Sequence, residues 1–587
     1  MRSGTALIVA LITLASTALA QDTTWLMRYD AESSGVTDAS IELPASLLWK
    51  YTTEEENFNA VATPAVDETS IYAPVGDTIY ALDRGTGALR WQQTAGDEIL
   101  SSPAIADGVL YCGTRDNSLL AIDTSNGSLE WRFRTQGPVD GTPVIAYGVA
   151  YFGSDGNRLT ALDLETRNVL WQFEANGDIK APPLVYRDVI IVGTNNGRIY
   201  SINAQGQPLW SNTVESGTFF ASPVGERTKV IYASGRELVA RDIYTGRLVW
   251  GRPFRAGGLI IGSPAVLGRT IYVGSRDGAM YAIDANRGAA MWKWPRDGAV
   301  GPISSSPVVA GDKIIFRAGE RDIMAISLDG RQLLWQYTLP EVEQRVSQAQ
   351  PGMFMPEDEM MMEGMPPGAM MDEPMDVGGP GMDGRQPQRR PRTFEELVDP
   401  SVAVVENALY TLGDDGIVYA FDSLAPDNIA PTIADPVLEV PGAQRRRVQF
   451  HPELTDPDRF PERYADEIEI PGTPPIFLSV LVNDEGSGVN PEQVSVTING
   501  EPASYTYDSR EGLVWYIYDP RGAAANLTNG VKQIAIEAVD WRGNRATKVV
   551  AFTVDNSLRP PTPPRPQRPQ FEEGFPMDMP PEEMPMW

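Results

Sequence analysis

The chain has 587 residues, of which 48 are Lys or Arg and 78 are Asp or Glu, so its formal net charge is −30. This charge argues against nucleic-acid binding, which needs clustered basic side chains. The single Cys (Cys112) excludes an internal disulfide, and together with the single His (His451) it excludes a zinc site of Cys and His ligands. Catalysis by a Ser-His-Asp or Cys-His arrangement would depend on His451 alone.

The first twenty residues predict a secretory signal peptide. They contain Arg2, an apolar run and then Ala18-Leu19-Ala20, and we expect cleavage before Gln21. An uncleaved membrane anchor is the alternative, but the apolar run is shorter than the roughly 18–20 residues that span a bilayer. The small residues are not followed by Cys, so a lipid anchor is not predicted. We expect an exported protein with a linker over residues 21–41.

A repeat of about forty residues dominates the rest of the sequence. Successive repeats end at a tryptophan, with spacings of 40, 40, 39, 40, 42 and 43 residues. The tryptophans are Trp91, Trp131, Trp171, Trp210, Trp250, Trp292 and Trp335. Within each repeat, short β-rich runs are separated by turns rich in Gly, Asn and Asp, which predicts four antiparallel strands per repeat. Repeats of this length and strand content indicate a β-propeller with one blade per repeat.

The residues that recur in each repeat are best explained by structural roles in turns and packing. An Asp precedes the last turn and is expected to cap it, since a short carboxylate accepts backbone N–H groups. These residues are Asp83, Asp123, Asp163, Asp242, Asp284 and Asp422. The Trp is expected to bury its ring between adjacent blades. Cys112 aligns with Phe152 and Val192, so it is expected to be a buried apolar residue.

The number of blades follows from two incomplete repeats. A half-repeat ends at Asp422 without a following Trp, while Trp49 precedes Trp91 by 42 residues. The strand around Trp49 is therefore predicted to complete the blade that contains Asp422, which closes the ring and removes an exposed sheet edge. The prediction is an all-β, eight-bladed propeller over residues 42–425.

A long insertion interrupts the propeller at residues 341–396. It contains ten Met between 353 and 382, together with Pro, Gly and acidic residues, and its composition predicts disorder. Thioether groups bind Cu(I), so a copper-binding segment is an alternative, although no His or Cys is present to assist. Met is also an adaptable contact residue at binding surfaces, which leaves a role in partner binding open.

A different β pattern covers residues 430–556 and predicts a β-sandwich, with an irregular stretch at 441–475 that contains His451. Asn499-Gly500 marks a tight hairpin. Asp484, Glu485, Asp540 and Asn544 are candidate Ca²⁺ ligands, but turn capping explains them more simply. Residues 557–587 hold ten Pro and are predicted to be a disordered tail.

The repeat resembles that of the pyrroloquinoline-quinone (PQQ) propellers, for example at Ala282, Asp284, Gly288 and Trp292. The resemblance implies an eight-bladed fold and one of two activities. Quinoprotein dehydrogenases hold PQQ and Ca²⁺ over the channel with acidic ligands and typically a pair of adjacent cysteines. Non-catalytic members, such as the propeller subunit of the outer-membrane β-barrel assembly machinery, bind other proteins. In the C-terminal module, the motifs DEGSGV and EAVDWRGN resemble bacterial Ig-like domains.

The departures from the dehydrogenase pattern favour the second activity. Cys112 has no neighbouring Cys, and the positions expected at the channel mouth are mostly apolar. The charged ones are Asp140, Lys180 and Asp399, which are the candidates for holding a ligand. An ion pair between Lys180 and a nearby carboxylate explains them more simply. No cofactor and no catalytic residue are therefore predicted.

The sequence leads to one main hypothesis and two alternatives. The main hypothesis is a non-enzymatic, monomeric, periplasmic or extracellular scaffold that binds other envelope proteins, with a role in outer-membrane protein assembly. The first alternative is a PQQ- and Ca²⁺-dependent oxidoreductase. The second is an extracellular adhesin or matrix protein in which the Ig-like module makes the contacts.

Overall fold

The computed structural model describes residues 28, 30, 33–54, 62–214, 221–319, 321–340, 400–413, 416–439, 469–470, 476–509, 511–518 and 528–557. The predicted signal peptide, the insertion, most of the irregular stretch with His451, the tail beyond 557 and Asp399 lie outside these residues. Over the ranges described, no helix has both the length and the apolar character needed to cross a membrane. The chain divides into two compact units, Met1–Asp427 and Asn428–Trp587.

The first unit consists of eight sheets among its described residues, called blades 1 to 8. Two strands precede the repeats, β1 (Val36–Thr37) and β2 (Ser46–Thr52). Blade 1 contains β3 (Ala65–Val66), β4 (Ser70–Val75), β5 (Thr78–Asp83) and β6 (Leu89–Thr94). Blade 2 contains β7 (Ala104–Ala106), β8 (Val109–Thr114), β9 (Ser118–Asp123) and β10 (Leu129–Arg134). Blade 3 contains β11 (Val144–Ala146), β12 (Val149–Ser154), β13 (Arg158–Asp163) and β14 (Val169–Glu174). Blade 4 contains β15 (Leu184–Tyr186), β16 (Val189–Gly193), β17 (Arg198–Asn203) and β18 (Pro208–Thr213).

The remaining blades continue in chain order. Blade 5 contains β19 (Val224–Glu226), β20 (Lys229–Ser234), β21 (Glu237–Asp242) and β22 (Phe254–Arg255). Blade 6 contains β23 (Ala265–Leu267), β24 (Thr270–Ser275), β25 (Ala279–Asp284) and β26 (Ala290–Trp294). Blade 7 contains β27 (Val308–Ala310), β28 (Lys313–Ala318), β29 (Asp322–Ser327) and β30 (Leu333–Thr338). Blade 8 contains β31 (Ala403–Val405), β32 (Ala408–Leu412) and β33 (Ile417–Asp422), and β2 is its fourth strand.

The ring closes in the way that Trp49 and Asp422 predict. Strand β2 pairs antiparallel with β33, and Ser46 lies opposite Asp422 while Trp49 lies opposite Ala420. The innermost strand of blade 8, β31, lies beside the innermost strand of blade 1, β3. The two ends of the repeat array are therefore joined at the outer edge of blade 8, and no blade lacks its fourth strand.

Burial follows the position of each strand in the blade. The second strand of blade 1, β4, is buried at all six positions, because its two faces pack against the neighbouring blades. The outer strand β6 instead alternates between exposed and half-buried positions, because it lies at the rim. Cys112, in the second strand of blade 2, is fully buried, and burial raises the pKa of its thiol to about 12. It is therefore a packing residue, as expected.

The recurring Trp contacts the turn between the last two strands of the next blade. The Trp91 indole donates to the Thr124 carbonyl at 2.9 Å, and its ring lies over Gly127. The same bond is made by Trp49, Trp171, Trp210 and Trp250 to the carbonyl groups of Arg84, Ala204, Ile243 and Ala285. Because Gly127 has a φ of +76° and lacks a Cβ, it adopts the left-handed turn and leaves space for the ring.

The burial of these rings differs from the expectation. Only Trp250 and Trp335 are buried, and Trp49, Trp91, Trp131, Trp171, Trp210 and Trp292 are half-buried. The reason is that the outer strand lies at the rim, so one edge of the ring faces solvent. The turn of blade 3 differs, because Arg167 stands where other blades have glycine and adopts a φ of +59°. Its guanidinium lies 5.9 Å from the centre of the Trp131 ring, which is a cation–π contact.

The recurring Asp caps the same turn from the inside. Asp83 Oδ1 accepts the backbone N–H groups of Gly85 and Thr86 at 3.1 and 3.0 Å. Hydrogen bonds from the side chains of Arg90 and Thr86 hold the pKa of Asp83 at about 2. Equivalent turn bonds are made by Asp123, Asp163, Asp242, Asp284 and Asp422.

The described residues of the second unit form two sheets. Its strands are β34 (Thr432–Ile433), β35 (Val437–Glu439), β36 (Glu469–Ile470), β37 (Ile476–Asn483), β38 (Ser495–Ile498), β39 (Glu501–Pro502), β40 (Tyr505–Asp508), β41 (Leu513–Tyr518), β42 (Gly530–Val539) and β43 (Arg545–Val554). A 3₁₀ turn covers Pro491–Gln493. One sheet has the order β34-β37-β41-β40, with β35 also on β37, and the other has the order β36-β43-β42-β38-β39.

These two sheets share one hydrophobic core and form a sandwich. Val480 and Val514 come from the first sheet, whereas Ile536 and Phe552 come from the second. The predicted hairpin is present at Asn499-Gly500, where both residues have positive φ and β38 pairs with β39. Alternation of apolar and polar residues was enough to predict these strands, because each sheet has one face in the core.

The contact between Trp and turn leads to the first prediction. Gly127→Ala places a Cβ 2.6 Å from the Trp91 ring, whereas Gly108→Ala, at the same φ of +76°, meets only Thr124 Oγ1 at 3.9 Å. Both variants carry the left-handed strain, but only the first also displaces the ring. We expect Gly127→Ala to lower the free energy of unfolding by about 1–3 kcal/mol more than Gly108→Ala in urea denaturation. Equal losses would contradict the packing role of this glycine.

Candidate functional site at the channel mouth

The two faces of the propeller carry different connections. The loops that lead from one blade into the next share a face with the turns between the second and third strands, as the bond from Ile99 N to Gly76 O shows. We call this the loop face. The turns after the innermost strands lie on the opposite face with the turns after the third strands, as the bond from Thr124 N to Gly108 O shows. We call this the turn face.

A chain of hydroxyl groups links neighbouring blades around the channel on the loop face. In each linked pair, a backbone N–H just before one innermost strand donates to the Ser or Thr side chain at the equivalent position of the next blade. The donor and acceptor pairs are Thr63 to Ser102, Ser222 to Ser263, Ser263 to Ser306, Ser306 to Ser401, and Ser401 to Thr63, at 2.8–3.0 Å. The Ser/Thr-Pro step of the repeat therefore has a structural role in joining the blades.

An ion cluster replaces this linkage where blade 4 has Pro182, which has neither a hydroxyl nor an N–H. Lys180 Nζ lies 2.7 Å from Asp140 Oδ2 and 2.7 Å from Asp155 Oδ2. Arg115 of blade 2 approaches the other oxygen of Asp140 at 3.5 Å. The cluster thus connects blades 2, 3 and 4 through charge.

This cluster is largely buried, and Arg115 also pairs with Glu98 at 3.3 Å. The Asp140 side chain is 1% exposed and that of Lys180 is 18% exposed. Burial raises the pKa of Asp155, and its hydrogen bond with Lys180 opposes that rise. For Lys180, burial alone would lower the pKa, but the hydrogen bonds and charges of Asp140 and Asp155 outweigh it and raise the pKa. Lys180 is therefore held by both Asp140 and Asp155.

The N-terminal segment lies along the channel-facing edges of the innermost strands. Strand β1 pairs in parallel with β27, with Val36 opposite Val309. The backbone carbonyls of Ser34 and Gly35 accept the N–H groups of Val266 and Val309 at 2.8 and 2.9 Å. Blade 7 consequently has five strands, and its innermost strand is supplied by the start of the chain.

Arg28 fixes this segment at the loop face. Its side chain donates from Nη2 to the Pro264 carbonyl at 2.5 Å and from Nη1 to the Pro307 carbonyl at 3.1 Å, and the residue is 4% exposed. A Cβ on Gly35 would lie 2.1 Å from Arg28 Nη2, and Gly35 has a φ of +68°. Glycine is therefore required where the segment passes the guanidinium.

This placement changes the interpretation of residues 21–41 as a linker. Residues 33–41 belong to the propeller, and Ile41 is fully buried. A two-residue strand has no periodicity to detect, so the sequence pattern could not reveal it. The basic Arg28 next to a Gly-containing extended stretch is the signal that was available.

The structure brings together two of the three charged mouth candidates. Asp140 and Lys180 form the ion pair that the sequence favoured, whereas Asp399 lies outside the described residues. Asp155 and Arg115 join the pair but were not identified from the sequence, because both lie in turns between the second and third strands rather than at the aligned mouth position.

The mouth residues that the structure describes do not fit a site for PQQ and Ca²⁺. A divalent cation needs several carboxylate oxygens that are not already neutralised. Here the Lys180 ammonium lies between Asp140 and Asp155, in the place that a cation would need. Arg28, which could otherwise meet an anionic quinone, is bound to backbone carbonyls. We therefore derive no step through a quinone.

Asp484 and Asp540, two of the candidate Ca²⁺ ligands of the second unit, cap turns. Asn544 donates its backbone N–H to Asp540 Oδ1 at 2.8 Å and its side-chain amide to Asp540 Oδ2 at 2.6 Å. Asp484 Oδ2 accepts the N–H of Gly488 at 2.6 Å. Carboxylate oxygens of Asp484 and Asp540 lie within 4.8 Å of each other, so a metal at these residues stays a prediction.

Comparison with known proteins identifies a family for the repeats. The family profile described as outer membrane protein assembly factor BamB matches residues 45–139, 75–221 and 195–353, which together cover more than half of the chain. No match was found among curated proteins.

Solved structures show similarity at a lower level. The crystal structure of BamB from Moraxella catarrhalis is 18% identical, with 64% of this chain and 99% of that chain covered and a TM-score of 0.45. The designed protein Ika8 is 14% identical, with 64% and 99% covered and a TM-score of 0.48. A europium-containing methanol dehydrogenase is 14% identical, with 54% and 85% covered and a TM-score of 0.46. These proteins have different functions but match this chain with similar identities and TM-scores, so the matches do not distinguish between functions.

The ion cluster leads to a second prediction. Lys180→Met removes the main partner of the buried Asp140, and we expect the free energy of unfolding to fall by about 3–5 kcal/mol. Lys313→Met is the matched control, since Lys313 pairs with Asp312, whose side chain is 82% exposed, and this loss should stay within about 1 kcal/mol. Adding Asp140→Asn to Lys180→Met should restore part of the loss. Urea denaturation measures all three, and equal losses for the two Lys variants would contradict the account.

The channel segment leads to a third prediction. Ser33 Oγ and Ser222 Oγ lie 3.1 Å apart, so Ser33→Cys combined with Ser222→Cys should form a disulfide in air. Peptide mapping by mass spectrometry detects it, and the buried Cys112 should not compete. Ser33→Cys combined with Ser102→Cys, on blade 2, is the control. Similar disulfide yields for the two pairs would show that the segment does not lie beside blade 5.

Proposed function

The chain belongs to the family of PQQ-like repeat propellers described as outer membrane protein assembly factor BamB, and we propose that it is a non-enzymatic scaffold that binds other proteins. Its place would be the cell envelope, where the family description suggests a role in the assembly of outer-membrane proteins. The predicted signal peptide at residues 1–20 agrees with export to that compartment.

The occupied channel carries the proposal. The N-terminal segment supplies its own strand to the channel-facing edge of blade 7, and Arg28 bonds two carbonyls at the mouth. Across the same mouth, Lys180 bridges Asp140 and Asp155 at 2.7 Å each. A propeller whose innermost strands and mouth are engaged in this way offers its exposed loops and turns for binding, rather than a cup for a cofactor.

The quinoprotein alternative is tested by adding PQQ and Ca²⁺ to the protein. We expect the purified chain, incubated with PQQ and Ca²⁺, to elute from gel filtration without quinone absorbance and to reduce no dye with alcohols or sugars. A quinoprotein dehydrogenase treated in the same way is the positive control. Retained quinone together with substrate-dependent dye reduction would overturn the non-enzymatic part of the proposal.

Partner binding is tested by a separate crosslinking experiment. The full chain, tagged at its C-terminus and crosslinked in native envelopes, should recover defined envelope proteins in the periplasmic and outer-membrane fractions. Recovery of no envelope protein would contradict the scaffold. Recovery only from the cell surface would favour the adhesin alternative.

A further inference from the structure

The turn after the innermost strand uses the left-handed conformation at its first residue in most blades. Glycine serves there in blades 6 and 7, at Gly268 and Gly311, and Asp107 serves in blade 2. Gly is unstrained in this conformation, and the short Asp tolerates it. The turn therefore forms without a large side chain at this position.

Three consecutive blades nevertheless place large residues there. Tyr147, Arg187 and Arg227, in blades 3, 4 and 5, have φ values of +55°, +58° and +56°. Bulky side chains are rare in this conformation because the Cβ approaches the backbone. Glu406 of blade 8 adopts the same conformation at this position, with a φ of +54°. Tyr and Arg are larger than the Gly and Asp that form the same turn in blades 2, 6 and 7, and the strain at these bulky residues motivates a binding role.

These side chains project from one arc of the turn face. Tyr147 is 86% exposed and the Arg227 side chain is 71% exposed. Tyr244 lies beside the turn of blade 4, because its hydroxyl is 3.3 Å from Asp188 Oδ1, and it is 41% exposed. Leu267, 37% exposed, precedes the turn glycine of blade 6. We call Tyr147, Arg187, Arg227, Tyr244 and Leu267 the turn patch.

The arc is continuous and uncovered by the N-terminal segment. Strands β11, β15, β19 and β23 lie side by side in this order, so their turns follow one another around the channel. Strand β1 runs parallel to β27 and therefore leaves the channel on the turn face at blade 7. It continues to β2 in blade 8, so the chain passes over blades 7 and 8 and leaves blades 3 to 6 open.

The charge of the patch is opposite to that of the molecule. The chain carries a net charge of −30, yet the patch has Arg187 and Arg227, with Arg269 of blade 6 next to it and 63% exposed at its side chain. The corresponding turns elsewhere on this face are acidic, at Asp107, Asp312 and Glu406. Arg227 and Arg269 pair with Glu226 and Asp284 at 3.4 and 3.9 Å, and Asp188 follows Arg187 in the same turn. Because all three arginines remain exposed, the arc is less acidic than the rest of this face and favours a carboxylate-rich ligand along blades 3 to 6.

We propose that the turn patch is the docking surface for an acidic, extended segment of a partner protein; this deepens the scaffold function proposed above and rests on it. The guanidinium groups of Arg187 and Arg227 would pair with carboxylates in bidentate geometry. Tyr147, Tyr244 and Leu267 would contact an apolar side chain between them. Tyr and Arg are the residue types that most often carry binding energy at protein interfaces. A nucleic acid does not fit, because the acidic turns adjoin the patch on both sides.

The test uses the full chain in native envelopes. The photo-reactive amino acid p-benzoylphenylalanine replaces Tyr147, and the same replacement at Asp107, on the equivalent turn of blade 2, is the positional control. We expect position 147 to crosslink an envelope protein at a peptide rich in Asp and Glu, and position 107 to give at least about tenfold less of that product. Salt at about 0.5 M should reduce the product, because screening weakens exposed charge pairs.

Two charge-reversal substitutions test whether the turn patch, rather than another surface of the scaffold, binds the partner. Arg187→Glu with Arg227→Glu should lower the recovery of the same partner by about tenfold or more. Arg134→Glu with Arg331→Glu reverses two arginines outside the patch that are 64% and 83% exposed and should leave recovery unchanged. Unchanged melting temperatures show that the variants are folded.

Each remaining outcome decides between the two proposals. If the unmodified chain recovers no envelope protein, the scaffold function itself is wrong. If the unmodified chain recovers partners but the Arg187→Glu, Arg227→Glu variant recovers them equally well, the turn patch is not the docking surface. A crosslink from position 147 to a second copy of this chain, or to a neutral or basic peptide, also overturns the proposal.

Discussion

The contact between the outer-strand Trp of one blade and the turn of the next is the interaction on which the propeller depends. It combines a hydrogen bond from the indole, such as that from Trp91 to the Thr124 carbonyl, with a glycine that leaves room for the ring. The indole bond is made by Trp49, Trp91, Trp171, Trp210 and Trp250, so it joins these neighbouring blades in the same way. Trp49 makes the same contact with the turn at Gly87, so the closing strand is bound in the same way as the Trp-containing segments of those blades.

The repeat made most of this fold predictable from the sequence. One blade is specified by about forty residues, so each inference was checked several times along the chain, and the unpaired Trp49 and Asp422 were enough to predict how the ring closes. The degree of Trp burial was not predicted, because it depends on the position of the outer strand at the rim. The C-terminal sandwich was predictable because its strands alternate apolar and polar residues.

The candidate site was predictable only in part. Asp140 and Lys180 occupy the same repeat position forty residues apart, so their pairing across neighbouring blades followed from the period. Asp155 and Arg115 belong to turns whose direction depends on tertiary structure. The segment from Arg28 to Thr37 escaped prediction because its hydrogen bonds are made with strands more than two hundred residues away. No local pattern encodes such a contact.

The two faces of the propeller therefore have different characters. On the loop face, hydroxyl links, an ion cluster and Arg28 connect the blades around the channel. On the turn face, blades 3 to 5 present exposed Tyr and Arg side chains. This division supports a protein that binds partners at its surface and uses its channel for its own stability.

Hydrogen–deuterium exchange of the N-terminal segment tests this account most directly. If the segment occupies the channel, peptides covering residues 28–45 should exchange as slowly as those covering β27, and the amides of Val266 and Val309, which donate to Ser34 and Gly35, should be protected. Exchange of residues 28–45 within seconds, together with rapid exchange at Val266 and Val309, would show that the channel is open and would contradict the account.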